Sequence, residues 1–306
     1  MNKKENQFIV IRGGNHVLSV VQQAGDLEVI GVTSRGFFLI ERENHQILFV
    51  TLENECSPLT LNITPNQQVH FYQFLNQNSL IGKKAYRNKK SIIFYEPSFC
   101  INCSQATAWQ TDDLKNNFQA LPERVNYCRS VTESLYQKKG DAGYTGFLIP
   151  FLDIVLTTPE NPLSSDETFL KIMSIHNWLI QGNLKLISEI YSNFFAGRGR
   201  GLTPSGDDLF IGLLLSASRA PSINPFFSLE EEFIGGVIRS AREKTTAVSA
   251  AIITSATQGQ ADERLITALD GILTGQIPPG EASRRLAAWG NSSGADALLG
   301  MMLYLL

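Results

Sequence analysis

The spacing of apolar residues changes near residue 105, and this change constrains the fold of the chain more than any other feature. Before it, short apolar runs rich in β-branched and aromatic residues recur roughly every 8 to 12 residues, which predicts an antiparallel β-barrel or a sandwich-like domain. After it, apolar residues recur at three- and four-residue spacings, which predicts helices. We therefore expect an α+β chain, with a β-rich domain over 1–105 and a mainly α-helical domain over 106–306.

The strands predicted in the first domain are FIVIR, HVLSVV, LEVIGVT, GFFLIER, QILFVTL, LTLNIT, VHFYQFL and SIIFYE. The polar stretch ERENHQ between two of them is typical of a hairpin loop. One long stretch, GDAGYTGFLIPFLDIVLTTPENP (140–162), fits either a strand or an irregular crossover.

The charge of the chain gives no reason to expect a nucleic acid or an anionic membrane as partner, since the net charge is −3 over 306 residues. An anion site must then be local. The apolar run Phe8–Ile11 is too short for an export signal, and no segment reaches the roughly 18 apolar residues that span a bilayer. We expect a cytoplasmic protein.

The cysteines and histidines do not indicate a metal site. Cys100 and Cys103 have the spacing of a zinc knuckle, but no second pair accompanies them, and Cys56 and Cys128 stand alone. Reduced structural thiols are the better prediction. The four histidines lie outside every motif described below, so neither a zinc site nor a catalytic histidine dyad is expected.

The stretch GRGRGLTPSGDD (197–208) precedes an apolar run and has two interpretations. It lacks the lysine of a P-loop and the third glycine of the dinucleotide fingerprint. It fits a helix that Ser205 caps with the help of Asp208. It also fits an anion cradle, because the glycine backbone can approach a ligand while Arg198 and Arg200 add positive charge to a helix start.

A second copy of this helix start favours the anion cradle. SGDDLFIGLLL (205–215) aligns with SGADALLGMML (293–303), 88 residues further along the chain. Ser, Asp and Gly recur in both copies at i, i+3 and i+7, which is one face of a helix. Since a glycine lets another backbone approach, we expect the two helices to cross near Gly212 and Gly300 and to bring their starts together.

Three aspartates conflict with an anion at this place, because Asp207, Asp208 and Asp296 would repel it. Either these side chains turn inward as caps, or a cation such as Mg²⁺ bridges them to the ligand. A cap needs only one aspartate per helix. Of Asp207 and Asp208, Asp207 is therefore the stronger candidate for a functional role. No other cofactor is predicted.

A third polar cluster is EKTTAVSAAIITS (243–255), on an otherwise apolar segment. Its hydroxyls either allow tight helix packing or act, together with Lys244, as further donors to the same ligand.

These stretches resemble a known family. GLTPSGDDLFIGLLLSA, TTAVS and NSSGADALLGMML are similar to the AllH-type family, which accompanies FdrA-like proteins in operons for purine (allantoin) degradation. The resemblance covers the C-terminal third of the chain closely. It implies a subunit of oxamate carbamoyltransferase, an enzyme that interconverts oxalurate and phosphate with oxamate and carbamoyl phosphate. Family members often carry proline where this chain has Arg200, which leaves the carbamoyl acceptor open.

The resemblance and the chemistry of carbamoyl transfer together indicate a set of site residues. Hydroxyls of Thr203, Ser205 and Ser293 would meet phosphate or carbamoyl oxygens, Arg198 or Lys244 would meet a carboxylate, and Asp207 would orient the attacking amide or hold a metal. The expected catalytic residues are Asp207, Asp208 and Lys244; the expected binding residues are Arg198, Gly201, Thr203, Ser205, Gly206, Thr245, Thr246, Ser249, Ser292, Ser293, Gly294 and Asp296.

Partner subunits of the FdrA-like type are expected as well. Because the sequence offers no obvious acid, base or nucleophile constellation, a non-catalytic anion-binding or scaffold subunit of a metabolic complex is the alternative.

Overall fold

The computed structural model describes residues 7–114, 117–139, 146–148, 151 and 166–306. The chain divides into two compact units, Met1–Thr111 and Asp112–Leu306, and each is described by itself. The domain ranges expected from the sequence, 1–105 and 106–306, stay a prediction.

The first unit is built on a closed β-barrel. Its strands are β1 (Gln7–Gly14), β2 (Gly25–Thr33), β3 (Gly36–Glu41), β4 (Gln46–Thr51), β5 (Thr60–Ile63), β6 (Lys84–Asn88), β7 (Ser91–Phe94), β8 (Phe99–Asn102) and β9 (Thr107–Trp109). They are ordered β5-β4-β3-β2-β6-β7-β8-β1, and β5 also pairs with β1, which closes the barrel. Strand β9 is an additional strand paired with β1.

The barrel is mixed rather than wholly antiparallel. Neighbours joined by tight turns pair antiparallel, including β3 and β4 on either side of the predicted hairpin loop. The pairs β1–β8, β1–β9 and β4–β5 are parallel, and none of them is joined by such a turn. The predicted α+β class is confirmed, and the barrel rather than the sandwich is what forms.

Two of the predicted strands are helices. HVLSVV lies in α1 (Asn15–Gln22) and VHFYQFL in α2 (Gln68–Gln77). In α1 the buried residues are Val17, Val20 and Val21, and in α2 they are Phe71 and Leu75, so both segments follow helical spacing. The strand prediction was wrong because it weighed the β-branched and aromatic composition above this spacing.

The second unit is helical over its described residues, as predicted. Its helices are α3 (Leu121–Lys139), α4 (Glu167–Gln181), α5 (Leu184–Ile190), α6 (Ser205–Arg219), α7 (Glu231–Lys244), α8 (Ala247–Ala256), α9 (Glu263–Thr274), α10 (Pro279–Ala288) and α11 (Ser293–Leu305), with a π-helical turn at Tyr191–Phe195. The ambiguous stretch 140–162 lies outside the described residues except for 146–148 and 151. Within the described ranges, no helix has the length and apolar character to cross a membrane.

Helices α6 and α11 cross at two glycines in the core of this unit. A Cβ placed on Gly212 would lie 1.9 Å from the carbonyl oxygen of Ala297, and a Cβ on Gly300 would lie 1.9 Å from that of Leu209. Any side chain at either position would separate the helices. The predicted crossing is confirmed, and it sets the two helix starts side by side.

The four cysteines are free thiols, and three of them are buried. Burial raises the pKa of Cys103 to about 12 and that of Cys128 to about 12. Such thiols are poor nucleophiles and poor metal ligands. A separate open cleft of about 450 Å³ lies in the barrel unit, lined in part by Arg35, Gln68 and Tyr72.

Candidate functional site

The two related helix starts are joined through hydroxyl groups. The Thr203 and Ser293 hydroxyls are 3.0 Å apart, and the Ser205 and Ser292 hydroxyls are 3.5 Å apart. Ser205, Ser292 and Ser293 are buried, and Thr203 is half-buried. The first serine of each copy therefore meets a hydroxyl that lies just before the start of the other copy.

The second residue of each helix is a glycine for a steric reason. A Cβ on Gly206 would lie 2.1 Å from the carbonyl oxygen of Phe195, and a Cβ on Gly294 would lie 2.0 Å from that of Leu286. Both copies of the motif thus use glycine to pack a helix start against a neighbouring backbone.

Ser205 does not cap α6, so the predicted capping by Ser205 and Asp208 was wrong. The helix begins at Ser205 itself, behind the extended Pro204, and its start has no side-chain cap. The carbonyl oxygen of Pro204 accepts from the amides of Asp207 and Asp208 at 2.9 and 3.0 Å, and that of Arg198 accepts from Gly206 at 2.8 Å. Backbone carbonyls therefore satisfy donors that a cap would serve.

Asp207 is surrounded by donors from four other segments. Its Oδ1 accepts from the Tyr191 hydroxyl at 2.9 Å and from the Gly197 amide at 3.2 Å. Its Oδ2 accepts from the Ser249 hydroxyl at 2.9 Å and from the Thr245 hydroxyl. Burial raises the pKa of Asp207, and these four hydrogen bonds lower it. The acceptor sites of Asp207 are thus filled from within the chain, and its carboxylate joins the segments that supply these donors.

Asp208, the next residue, has the opposite environment. It is 0% exposed, and among the described residues neither carboxylate oxygen has a partner at hydrogen-bonding geometry. Burial raises its pKa well above the ordinary value. The nearby Ser293 and Thr203 hydroxyls lower that pKa, while the charges of Asp296 and Asp207 raise it further.

Asp296 is the counterpart of Asp208 in the second copy, and it also turns inward. Its Oδ1 accepts from the amides of Phe147 and Leu148 at 2.6 and 3.2 Å. Two of the three aspartates are thus bound by donors of the chain itself. One of the two expected outcomes is that the aspartates turn inward as helix caps; these two turn inward, but neither helix start has a side-chain cap.

The loop that precedes α6, residues 197–201 (the glycine loop), is partly open to solvent. Gly197, Gly199 and Gly201 have φ angles of 73°, 130° and 91°, a region that favours glycine. A Cβ on Gly201 would meet nothing within 4 Å, and Arg200 beside it is exposed. This part of the loop offers open backbone next to a positive charge.

The other polar residues predicted here bind parts of the chain. The Arg198 guanidinium stacks 4.0 Å from the Phe194 ring centroid, and the Lys244 ammonium donates to the carbonyl and the hydroxyl of Ser192, both at 2.9 Å. Thr246 caps α8 by accepting from the Ser249 amide at 3.0 Å, and its hydroxyl donates to the carbonyl oxygen of Leu202 at 2.5 Å.

The structure therefore gathers most of the predicted residues around Asp207 and Asp208, but not all side chains face one point. Arg198 and Lys244 are directed to Phe194 and Ser192 instead. Sequence reasoning missed Tyr191, which belongs to no motif and reaches Asp207 from the π-helical turn. No signal in the sequence separates this tyrosine from an ordinary core residue.

In the part of the chain that the structure describes, no group of three or more histidines, cysteines, aspartates or glutamates could hold a metal ion.

The comparison with known families decides what this arrangement is related to. Residues 195–305 match the family model described as oxamate carbamoyltransferase subunit AllH. This AllH segment runs from the end of the π-helical turn to the end of α11 and includes the glycine loop and both helix starts. The resemblance inferred from the motifs is confirmed over it. The family description implies a carbamoyltransferase subunit that works with partner subunits. No curated protein and no solved structure matches the chain.

Proposed function

We propose that the protein is the subunit of a carbamoyltransferase that binds an anionic substrate beneath the glycine loop, in purine or allantoin catabolism in the cytoplasm. The supporting observation is the convergence of the two related helix starts, with their paired hydroxyls, under an open loop that carries Arg200. The substrates would be those of the family's enzyme: oxalurate and phosphate, interconverted with oxamate and carbamoyl phosphate.

The reaction does not require a nucleophilic side chain or a covalent intermediate on the protein. In the direction of oxalurate formation, the amide nitrogen of oxamate attacks the carbamoyl carbon, the bond from that carbon to the phosphate oxygen breaks, and the nitrogen loses a proton. Orientation and stabilisation of negative charge supply most of the acceleration in such a transfer. Donors for the phosphate and carbamoyl oxygens are therefore the parts required.

The open part of the loop provides such donors. The Arg200 guanidinium and the backbone at Gly201 would bind phosphate oxygens, and the Thr203 and Ser293 hydroxyls would meet the carbamoyl group. Arg198 and Lys244 would bind an acceptor carboxylate only after leaving Phe194 and Ser192, a rearrangement for substrate or a partner to induce. Asp207 would act indirectly by holding the loop and α8.

The alternative, a non-catalytic anion-binding or scaffold subunit, is favoured by the inward orientation of Asp207 and Asp296. Both carboxylates bind donors of the chain rather than facing an opening. In that case the chemistry would belong to FdrA-like partner subunits.

Calorimetric titration of the full chain with carbamoyl phosphate, then with oxamate, tests the proposal. We expect saturable binding of carbamoyl phosphate that Arg200→Gln weakens about tenfold, the loss of one charge-assisted contact. Arg129→Gln on α3 is the matched control, since Arg129 is also exposed but lies outside the AllH segment. Equal affinities for both variants would refute the assignment of Arg200.

Turnover separates the enzyme from the scaffold. Carbamoyl transfer to oxamate should be measured for the chain alone and after mixing with FdrA-like subunits. Turnover of the complex that drops with Arg200→Gln or Thr203→Val supports the enzyme subunit. Full turnover with both variants supports the scaffold.

A further inference from the structure

The hydrogen-bonding capacity around Asp208 is too small for a buried carboxylate. An ionised carboxylate has about four acceptor sites. Two hydroxyls are close to this one, those of Thr203 and Ser293, and they lie 3.0 Å from each other. One of their two protons is used in the bond between them, so at most one is left for Asp208. Buried polar groups in native proteins nearly always have hydrogen-bond partners, and a bound ion is one way to supply the contacts that Asp208 lacks.

Negative charges act on Asp208. Among the described residues, its pKa is raised by the charges of Asp296, at the equivalent position of α11, and of its neighbour Asp207. Asp207 accepts from four donors, and Asp296 accepts from the amides of Phe147 and Leu148. By contrast, neither oxygen of Asp208 has a partner at hydrogen-bonding geometry among the described residues. A second carboxylate and two hydroxyls thus act on the buried Asp208 side chain, and this set contains no nitrogen or sulfur ligand.

We propose that Asp208, the Thr203 and Ser293 hydroxyls and the carboxylate of Asp296 form a binding site for one divalent cation of the Mg²⁺ class. Oxygen-only ligand sets of this kind select hard cations such as Mg²⁺, Mn²⁺ and Ca²⁺. The cation would bind the unpartnered carboxylate and hold the glycine loop, through Thr203, to the start of α11, through Ser293. This inference goes beyond the proposed function and is tested without it; the Thr203 and Ser293 hydroxyls would contact the cation as well as the carbamoyl group.

Titration of the full, metal-stripped chain with MgCl₂ alone, and separately with MnCl₂ and CaCl₂, tests the proposal by calorimetry and by thermal unfolding. We expect one cation per chain and a rise of Tm with cation concentration, since a ligand that binds the folded state stabilises it. Asp208→Asn should abolish both effects. Asp270→Asn is the matched control, because Asp270 lies in the same unit and pairs with Arg219 instead.

Two further variants keep the test valid if Asp208→Asn does not fold. Thr203→Val and Ser293→Ala each remove one hydroxyl and should weaken cation binding at least about tenfold, as changes around a metal typically do. The proposal would be overturned if the wild-type chain showed neither binding nor a change of Tm with any of the three cations. It would also be overturned if Asp208→Asn, or both hydroxyl variants, bound the cation as the wild-type chain does. If the cation titrations fail while carbamoyl phosphate still binds, this inference fails and the proposed function stays intact.

Discussion

Asp207 and Asp208 are consecutive residues of one helix, yet their surroundings differ as much as two buried carboxylates can. Asp207 faces α8 and the glycine loop and accepts four hydrogen bonds from the chain. Asp208 faces the start of α11, where a second carboxylate and two mutually bonded hydroxyls lie nearby. The roughly 100° between successive helical positions is enough to separate a residue that organises the fold from one that is left for a ligand.

The largest expected effect is that of Asp207→Asn. The amide nitrogen that replaces one carboxylate oxygen would face two donors, each of which loses its partner at a cost of about 2 kcal/mol, or about 4 kcal/mol in total. Urea-induced unfolding of both proteins measures the free energy of unfolding. A loss below about 1 kcal/mol would show that Asp207 does not hold these segments together, and the proposed difference between Asp207 and Asp208 would not stand.

Separating the two helix starts should have the next largest effect. Gly212→Ala places a methyl group 1.9 Å from the carbonyl oxygen of Ala297, and we expect about 3 kcal/mol of destabilisation from the forced displacement of α6 and α11. Gly235→Ala on α7 is the control, since its Cβ meets nothing within 4 Å. It should stabilise the protein by about 0.5 to 1 kcal/mol. Similar losses in both variants would argue against a tight crossing.

The contribution of a single donor to Asp207 is smaller. Thr245→Val removes one of the four hydrogen bonds while keeping the shape of the side chain, and should cost about 1 kcal/mol. Thr254→Val is the comparison on the same polar stretch, because the Thr254 hydroxyl donates to the carbonyl oxygen of Ala250 in its own helix rather than to Asp207. Its effect should stay within about 0.5 kcal/mol. A larger loss of stability with Thr254→Val than with Thr245→Val would contradict the role of the Thr245 hydroxyl as a stabilising donor to Asp207.

The sequence predicted the crossing of α6 and α11 because its cause is local: Ser, Asp and Gly at i, i+3 and i+7 define a helix face wherever they occur. It did not predict which aspartate would be left without partners. That depends on Tyr191 and Thr245, 16 and 38 residues away, and on the carbonyl oxygens of Pro204 and Arg198, which remove the need for a cap. In the first unit, α1 and α2 were predicted as strands because their valines and aromatic residues suit a strand as well as a helix face.

The smallest expected effect has the opposite sign. Asp208→Asn keeps the size of the side chain and removes a carboxyl group whose ionised form is buried with too few donors, so in metal-free buffer it should raise the free energy of unfolding by up to about 1 kcal/mol. Asp207→Asn and Asp208→Asn should therefore shift the urea midpoint in opposite directions, although both change the same charge on adjacent residues. In saturating MgCl₂ the gain from Asp208→Asn should disappear, because the wild-type chain alone is then stabilised by the cation. A loss of stability with Asp208→Asn in metal-free buffer would mean that this carboxylate, too, is held by the chain.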